Sequence, residues 1–220
     1  MNRRLFSLQL AGIAGAAALA AGGLPRGALA QGAGPVEGKD FQKLKQPVTM
    51  ASTGKIEVVE FFWYACPHCF HFEPTLEPWV AKLPADVHFR RIPVGFNDVR
   101  KEFHQRLYFT LEAMNQVEAL HAKMFARFHT LHKPIDREAD ALQFAQENGL
   151  DVAKFKDILN SFSMQTKIGQ ANRLTEAYGI DGVPELGLQG RFTTSPSMAD
   201  GEAKALAVAD VLIDRIRKGA

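Results

Sequence analysis

The residues Lys55–Phe62 constrain the fold most. They are β-branched and aromatic, they follow Gly54, and they carry apolar side chains on both faces. A strand of that kind is a buried central strand. Beyond Cys69 the pattern changes to a helical one, with Phe72, Leu76, Trp79, Val80 and Leu83 at steps of three and four. Pro74 and Pro78 fall inside it and predict a kinked helix. Val87–Val94 reads as a second core strand. Strand, helix and strand of these lengths make one βαβ unit, so the two strands are expected to be parallel.

The remaining elements follow from periodicity and capping. Asp40–Val48 can supply a short edge strand. Helices are expected over Val99–Met114, Val117–Leu131, Arg137–Asn148, Val152–Phe162 and Met164–Tyr178. Asp136 and Asp151 suit N-caps, and Gly149 and Gly179 suit helix ends. Glu185–Leu188 and Arg191–Thr193, joined at Gln189-Gly190, read as a hairpin. A last amphipathic helix is expected from about Gly201 to Arg217. The order is βαβ, then a long helical block, then ββα.

The first thirty residues have the anatomy of an export signal. Arg3-Arg4 precede an Ala/Gly/Leu-rich stretch, and Ala28-Leu29-Ala30 offers a small-x-small cleavage site. Arg3-Arg4-Leu5-Phe6 also resembles a twin-arginine signal, so both the Sec and twin-arginine routes fit. The stretch is too short and too Gly-rich for a membrane anchor. The whole chain has a formal net charge of +2, but its 26 basic residues include three in this segment, against no acids there. The mature chain is near neutral, which gives no footprint for nucleic acid or an anionic membrane. Export implies an oxidising compartment, where paired cysteines persist as a disulfide.

Only two cysteines are present, in Cys66-Pro67-His68-Cys69, at the junction of the first strand and its helix. At the N-cap, the Cys66 sulfur faces free backbone N–H groups and the positive end of the helix dipole, both of which favour thiolate. Pro67 occupies the first helical position, where a missing N–H costs nothing. Cys69 lies one turn on, within reach of a disulfide, and His68 can add positive charge near the sulfur. A stabilised thiolate stabilises the reduced form and makes the disulfide more oxidising. A thiol lowered to about 3.5, the low end for such motifs, would contribute on the order of 100 mV. Two other readings of the pair exist. A structural staple across two residues closes almost no loop. A metal site could draw on Cys66, His68, Cys69 and His71, although one CxxC lacks the second ligand pair of structural zinc.

The segment Val59-Glu60-Phe61-Phe62-Trp63-Tyr64-Ala65-Cys66-Pro67-His68-Cys69 and the later Gly182-Val183-Pro184 resemble the DsbA family of periplasmic thiol–disulfide oxidoreductases. The interposed helical block matches as well, so the resemblance covers essentially the mature chain. Pro-His between the cysteines is the specific element, where thioredoxins typically carry Gly-Pro. The resemblance implies an α/β thioredoxin-like fold, βαβ plus ββα, with an inserted all-helical domain. Residues 31–98 and 170–220 would form the thioredoxin-like domain and 99–169 the insert.

By the same resemblance Cys66 would be the exposed nucleophile and Cys69 its buried partner. Pro184 would be a cis proline facing them, and Val183 would pair with a bound peptide. Glu60, an acid inside the most apolar strand, would lie beneath the site with Arg91 as its basic partner. The implied activity is donation of the Cys66–Cys69 disulfide to newly exported cysteine-containing proteins, with no bound cofactor. A DsbB-type quinone-linked inner-membrane partner would reoxidise a monomeric protein. A reductase or isomerase on the same fold, or a metal-binding module, are the alternatives. Glu185 departs from the small or apolar residues usual after this proline, and sequence leaves its direction open. His129 and His132 read as a solvated helix end.

Overall fold

The computed structural model describes residues 34–50 and 54–219; the expected export signal lies outside the described residues. The fold is thioredoxin-like. Its sheet is built around β2 (Ile56–Phe62), six of whose seven residues are buried. β3 (Val87–Pro93) pairs with β2 in parallel over its whole length, from Ile56 opposite Val87 to Phe62 opposite Pro93. On the other side β4 (Glu185–Leu188) pairs antiparallel with β2, followed by β5 (Phe192–Thr194) and the edge strand β1 (Gln42–Lys43). The order β1-β5-β4-β2-β3 places the most apolar strand inside the sheet.

α1 (Pro67–Val80) crosses from β2 to β3 as expected of a βαβ unit. Pro74 and Pro78 do not divide it. Both lie on its solvent side, where a carbonyl without a helix partner can bond to water. α1 and α7 (Glu202–Arg217) lie together on one face of the sheet. Phe72 and Leu76 of α1 and Leu206, Ala209 and Leu212 of α7 bury Val58, Leu186 and Leu188 there. Val59 and Phe61 belong to the opposite core, which includes α2 (Val99–Ala113), α3 (Val117–His129), α4 (Glu138–Glu147), α5 (Val152–Leu159) and α6 (Phe162–Tyr178). Alternation along β2 therefore serves both layers.

Three secondary-structure expectations change in detail. The helix expected over Val152–Phe162 ends at Leu159; Asn160 and Ser161 break the chain and Phe162, largely exposed, opens α6. Asp136 caps no helix. Arg137 is the N-cap of α4, and the Asp136 carboxylate instead accepts hydrogen bonds from Arg100 and His104. The edge strand expected over Asp40–Val48 keeps strand geometry only at Gln42–Lys43. The boundary expected at residues 169 and 170 falls within α6, which runs through it unbroken.

The hairpin turn depends on space as well as on backbone conformation. Gly190 and Gly149 both have positive φ, 62° and 71°. A Cβ at Gly190 would come within 2.0 Å of the Val48 carbonyl oxygen, whereas one at Gly149 would meet nothing within 4 Å. Gly190→Ala is expected to destabilise by about 2–3 kcal/mol and Gly149→Ala by only about 1 kcal/mol. Denaturant unfolding measures both, and equal losses would contradict the packing of Val48 on the turn.

Candidate active site

β2 ends at Phe62, and Trp63, Tyr64 and Ala65 carry the chain to Cys66, the N-cap of α1. Cys66 has extended φ and ψ of −82° and 117°, and its sulfur accepts a hydrogen bond from the Cys69 backbone N–H at 3.4 Å. The sulfur thus does the work that a Ser or Asp oxygen does at other N-caps. Pro67 stands at the first helical position, as expected. The two cysteines are unbonded, so the geometry is that of the dithiol.

The two sulfurs are unequal. Cys66 retains 7% of its surface and Cys69 none. Cys66 is thus less exposed than the resemblance implies, because the Val183 carbonyl approaches its sulfur to 3.5 Å, yet it is the accessible one of the pair. The Cys66 thiol is lowered to about 6, chiefly by a hydrogen bond from the Cys69 thiol, then by the backbone N–H groups of Cys69 and His68 and by the His68 charge, against the cost of burial. Burial pushes the Cys69 thiol well up, and its contact with Cys66 adds to this. The His68 charge is the smallest of these contributions. The Cys66 shift is also smaller than the low end of such motifs. In the dithiol protein this stabilisation is complete above the ordinary thiol value of 9.0 and is lost as pH falls through about 6.

Glu60 lies fully buried on β2, with Arg91 opposite it in the β3 register. Arg91 Nε donates to Glu60 at 2.9 Å, while its Nη2 reaches Glu73 at 3.2 Å and Glu77 at 2.6 Å on α1. One guanidinium thus holds three carboxylates. The second carboxylate oxygen of Glu60, Oε1, is buried without a hydrogen-bond partner among the described residues. Burial and the neighbouring Glu73 charge hold the Glu60 carboxyl well above its usual range, against the pull of Arg91. Burial also opposes ionisation of Glu73, but His121 and Arg91 outweigh it and lower that carboxyl.

Three histidines that the linear pattern does not single out, or reads as surface, brace the segment before Cys66. Trp63 Nε1 donates to His104 Nδ1 at 2.7 Å, and His104 Nε2 faces Asp136 at 3.0 Å. The Tyr64 hydroxyl meets His121 Nδ1 at 2.9 Å, and His121 Nε2 meets Glu73 at 3.3 Å. His129 Nε2 donates to the Tyr64 carbonyl at 2.8 Å and its ring stacks on Phe70. His129 is therefore half-buried and bonded, not a solvated helix end; His132 is exposed. Burial is the first cause lowering both His104, to about 4, and His121, and it favours the neutral ring in each. Their partners lie 41 and 57 residues away in the chain, a separation that no spacing rule reads.

The Val183–Pro184 bond is cis. Both residues border a cleft of about 760 Å³, which His68, His71, Glu185 and Met198 also line. His68 and His71 are exposed at this cleft whereas the Cys69 sulfur is buried, so the four proposed metal ligands do not converge. Among the described residues no three His, Cys, Asp or Glu side chains are grouped as metal ligands.

A model of the DSBA-like thioredoxin domain matches residues 101–210. The thiol:disulfide interchange protein DsbA of Pseudomonas aeruginosa is 39% identical over 183 residues, which span 83% of this chain and 86% of that protein. The chain belongs to the DsbA family. The DsbA of Burkholderia cepacia is 37% identical, spanning 86% of this chain and 90% of that protein. The crystal structure of Pseudomonas aeruginosa DsbA superposes with a TM-score of 0.79 at 38% identity, covering 83% of this chain and 94% of that one. That of the oxidoreductase DsbA from Xylella fastidiosa gives 0.78 at 26% identity, covering 84% and 98%. As a DsbA family member the protein is a thiol:disulfide oxidoreductase that acts through its own cysteine pair.

Arg91 is the counter-ion on which the buried carboxylates depend. Arg91→Met is expected to destabilise the protein by about 3 kcal/mol, as for a buried pair stripped of one partner. Denaturant unfolding of the dithiol form at neutral pH measures this, and a loss below about 1 kcal/mol would contradict the three-carboxylate clamp.

Proposed function

We propose that this protein donates the Cys66–Cys69 disulfide to cysteine-containing proteins newly exported to the periplasm. The observation that carries the direction of transfer is the inequality of the two sulfurs. A low thiol value at Cys66 stabilises the reduced form and makes Cys66 a good leaving group; a high value at Cys69 keeps that sulfur protonated once released.

The exchange has two steps. A substrate thiolate attacks Cys66 Sγ, the Cys66–Cys69 bond breaks, and Cys69 leaves with the electron pair and takes up a proton. A second substrate thiolate attacks the substrate sulfur of the mixed disulfide and expels Cys66 as thiolate. Two electrons pass to the protein, which ends as the dithiol, while the substrate gains one disulfide. In this reading Pro67 and His68 support the Cys66 thiolate. Glu60, held by Arg91, manages the proton of Cys69, and its raised carboxyl suits a group that both gives and takes a proton. Val183 and Pro184 line the path of the bound peptide. The helical insert, residues 99–169, braces the reactive segment through His104, His121 and His129. Residues 1–30 serve export, and a DsbB-type quinone-linked inner-membrane protein restores the disulfide.

Mixed with a reduced, unfolded protein, the oxidised protein is expected to introduce one disulfide per molecule and to finish as the dithiol. Cys66→Ala is expected to abolish transfer. Cys69→Ala, left with no internal partner for Cys66, is expected to accumulate a mixed disulfide with a substrate disulfide. Covalent adducts formed through Cys69 in Cys66→Ala would contradict the assignment. A reduction potential close to that of thioredoxin, about −270 mV, would contradict the donor direction.

A further inference from the structure

Glu185 is the one acid lining the exchange cleft that is desolvated with no cationic partner among the described residues. Of the two other carboxylates there, Asp181 is exposed to water. Glu202 lies in the first turn of α7, where the helix dipole favours an acid, and accepts a hydrogen bond from Thr75 at 2.9 Å. Glu185 is half-buried at the start of β4, directly after Pro184, and among the described residues the only group favouring its ionised form is the Thr193 hydroxyl. It also borders an adjoining cavity of about 590 Å³ lined by Lys43 and Lys45, yet among the described residues it forms an ion pair with neither. Burial pushes its carboxyl up to about 7.

A desolvated acid with no counter-ion is an expense that a cationic ligand would relieve. Its position determines what ligand that is. The carbonyl of Val183 stands 3.5 Å from the reactive sulfur, and Glu185, two residues on, lines the same cleft. The largest influences on the Cys66 thiol include the His68 charge but not that of Glu185. Glu185 is therefore placed to read the substrate and not to tune the nucleophile. We propose that Glu185 is a specificity-determining residue that favours substrates carrying Lys or Arg beside the reacting cysteine. This rests on the exchange reaction proposed above.

Two dithiol peptides, identical except for Lys or Glu flanking one cysteine, test it. Each is oxidised by the disulfide form of the protein at mildly alkaline pH and low salt, and initial rates are compared. The Lys peptide is expected to react about fivefold faster, a preference of the size that a single partly exposed ion pair supplies. In Glu185→Gln the ratio should fall toward one, and in Glu185→Asp part of it should remain. Each ratio is taken within one protein sample, so incomplete folding of a variant lowers both rates and leaves the comparison intact. A wild-type ratio of one, or a ratio unchanged in Glu185→Gln, would overturn the selectivity while leaving the exchange reaction standing. Oxidation of neither peptide would overturn both.

Discussion

The Cys66 sulfur closes the N-terminus of α1, and the site depends on that contact. A helix leaves its first backbone N–H groups without partners inside the helix. Here one of them, that of Cys69, points at the sulfur of the preceding turn. The same bond that finishes the helix stabilises negative charge on the sulfur. Structure and reactivity are therefore coupled: moving the sulfur away would cost the helix its cap, and neutralising it would weaken the cap bond. Cys69 contributes twice, with its backbone N–H and with its thiol, which is the largest influence lowering the Cys66 thiol. The disulfide partner is also the principal stabiliser of the Cys66 thiolate released when the mixed disulfide is resolved.

The layers around α1 keep this end of the helix in place. From below, Phe72 and Leu76 anchor it to the sheet and α7. From the side, Arg91 ties Glu73 and Glu77 of the helix to Glu60 of β2, so helix, central strand and β3 share one charge cluster that runs from the buried Glu60 out to the exposed Glu77. From the helical layer, His104, His121 and His129 hold Trp63 and Tyr64, the residues leading into Cys66. Each of these contacts joins the reactive segment to an element distant in the chain, so the helical block is part of the site's scaffold.

Much of this is legible along the chain because its signals are local. The double-sided apolar character of Val58–Phe62, the 3.6-residue pattern beyond Cys69 and the glycine turn at Gln189-Gly190 each specify an element from adjacent residues. The pairing of Glu60 with Arg91 came from resemblance, and the parallel register now places the two directly opposite. What sequence did not reveal is tertiary. Asp136 has the composition of a helix cap, but two basic groups of α2 claim its carboxylate. His121 and His104 look like unremarkable helix positions until the fold brings tyrosine and tryptophan polar atoms to them. Glu185 was undecidable because strand alternation gives a face but not the boundary of the cleft.

The fold favours Cys66 as a thiolate near neutral pH and keeps Cys69 protonated. The most direct measurement is ultraviolet thiolate absorbance of the dithiol protein against pH, with Cys69→Ala and His68→Ala alongside. Cys66 is expected to ionise with a midpoint near 6. Cys69→Ala should shift that midpoint up more than His68→Ala does, since the Cys69 thiol is the larger influence. A midpoint in the range of an ordinary cysteine, about 8.5 to 9, would contradict the account.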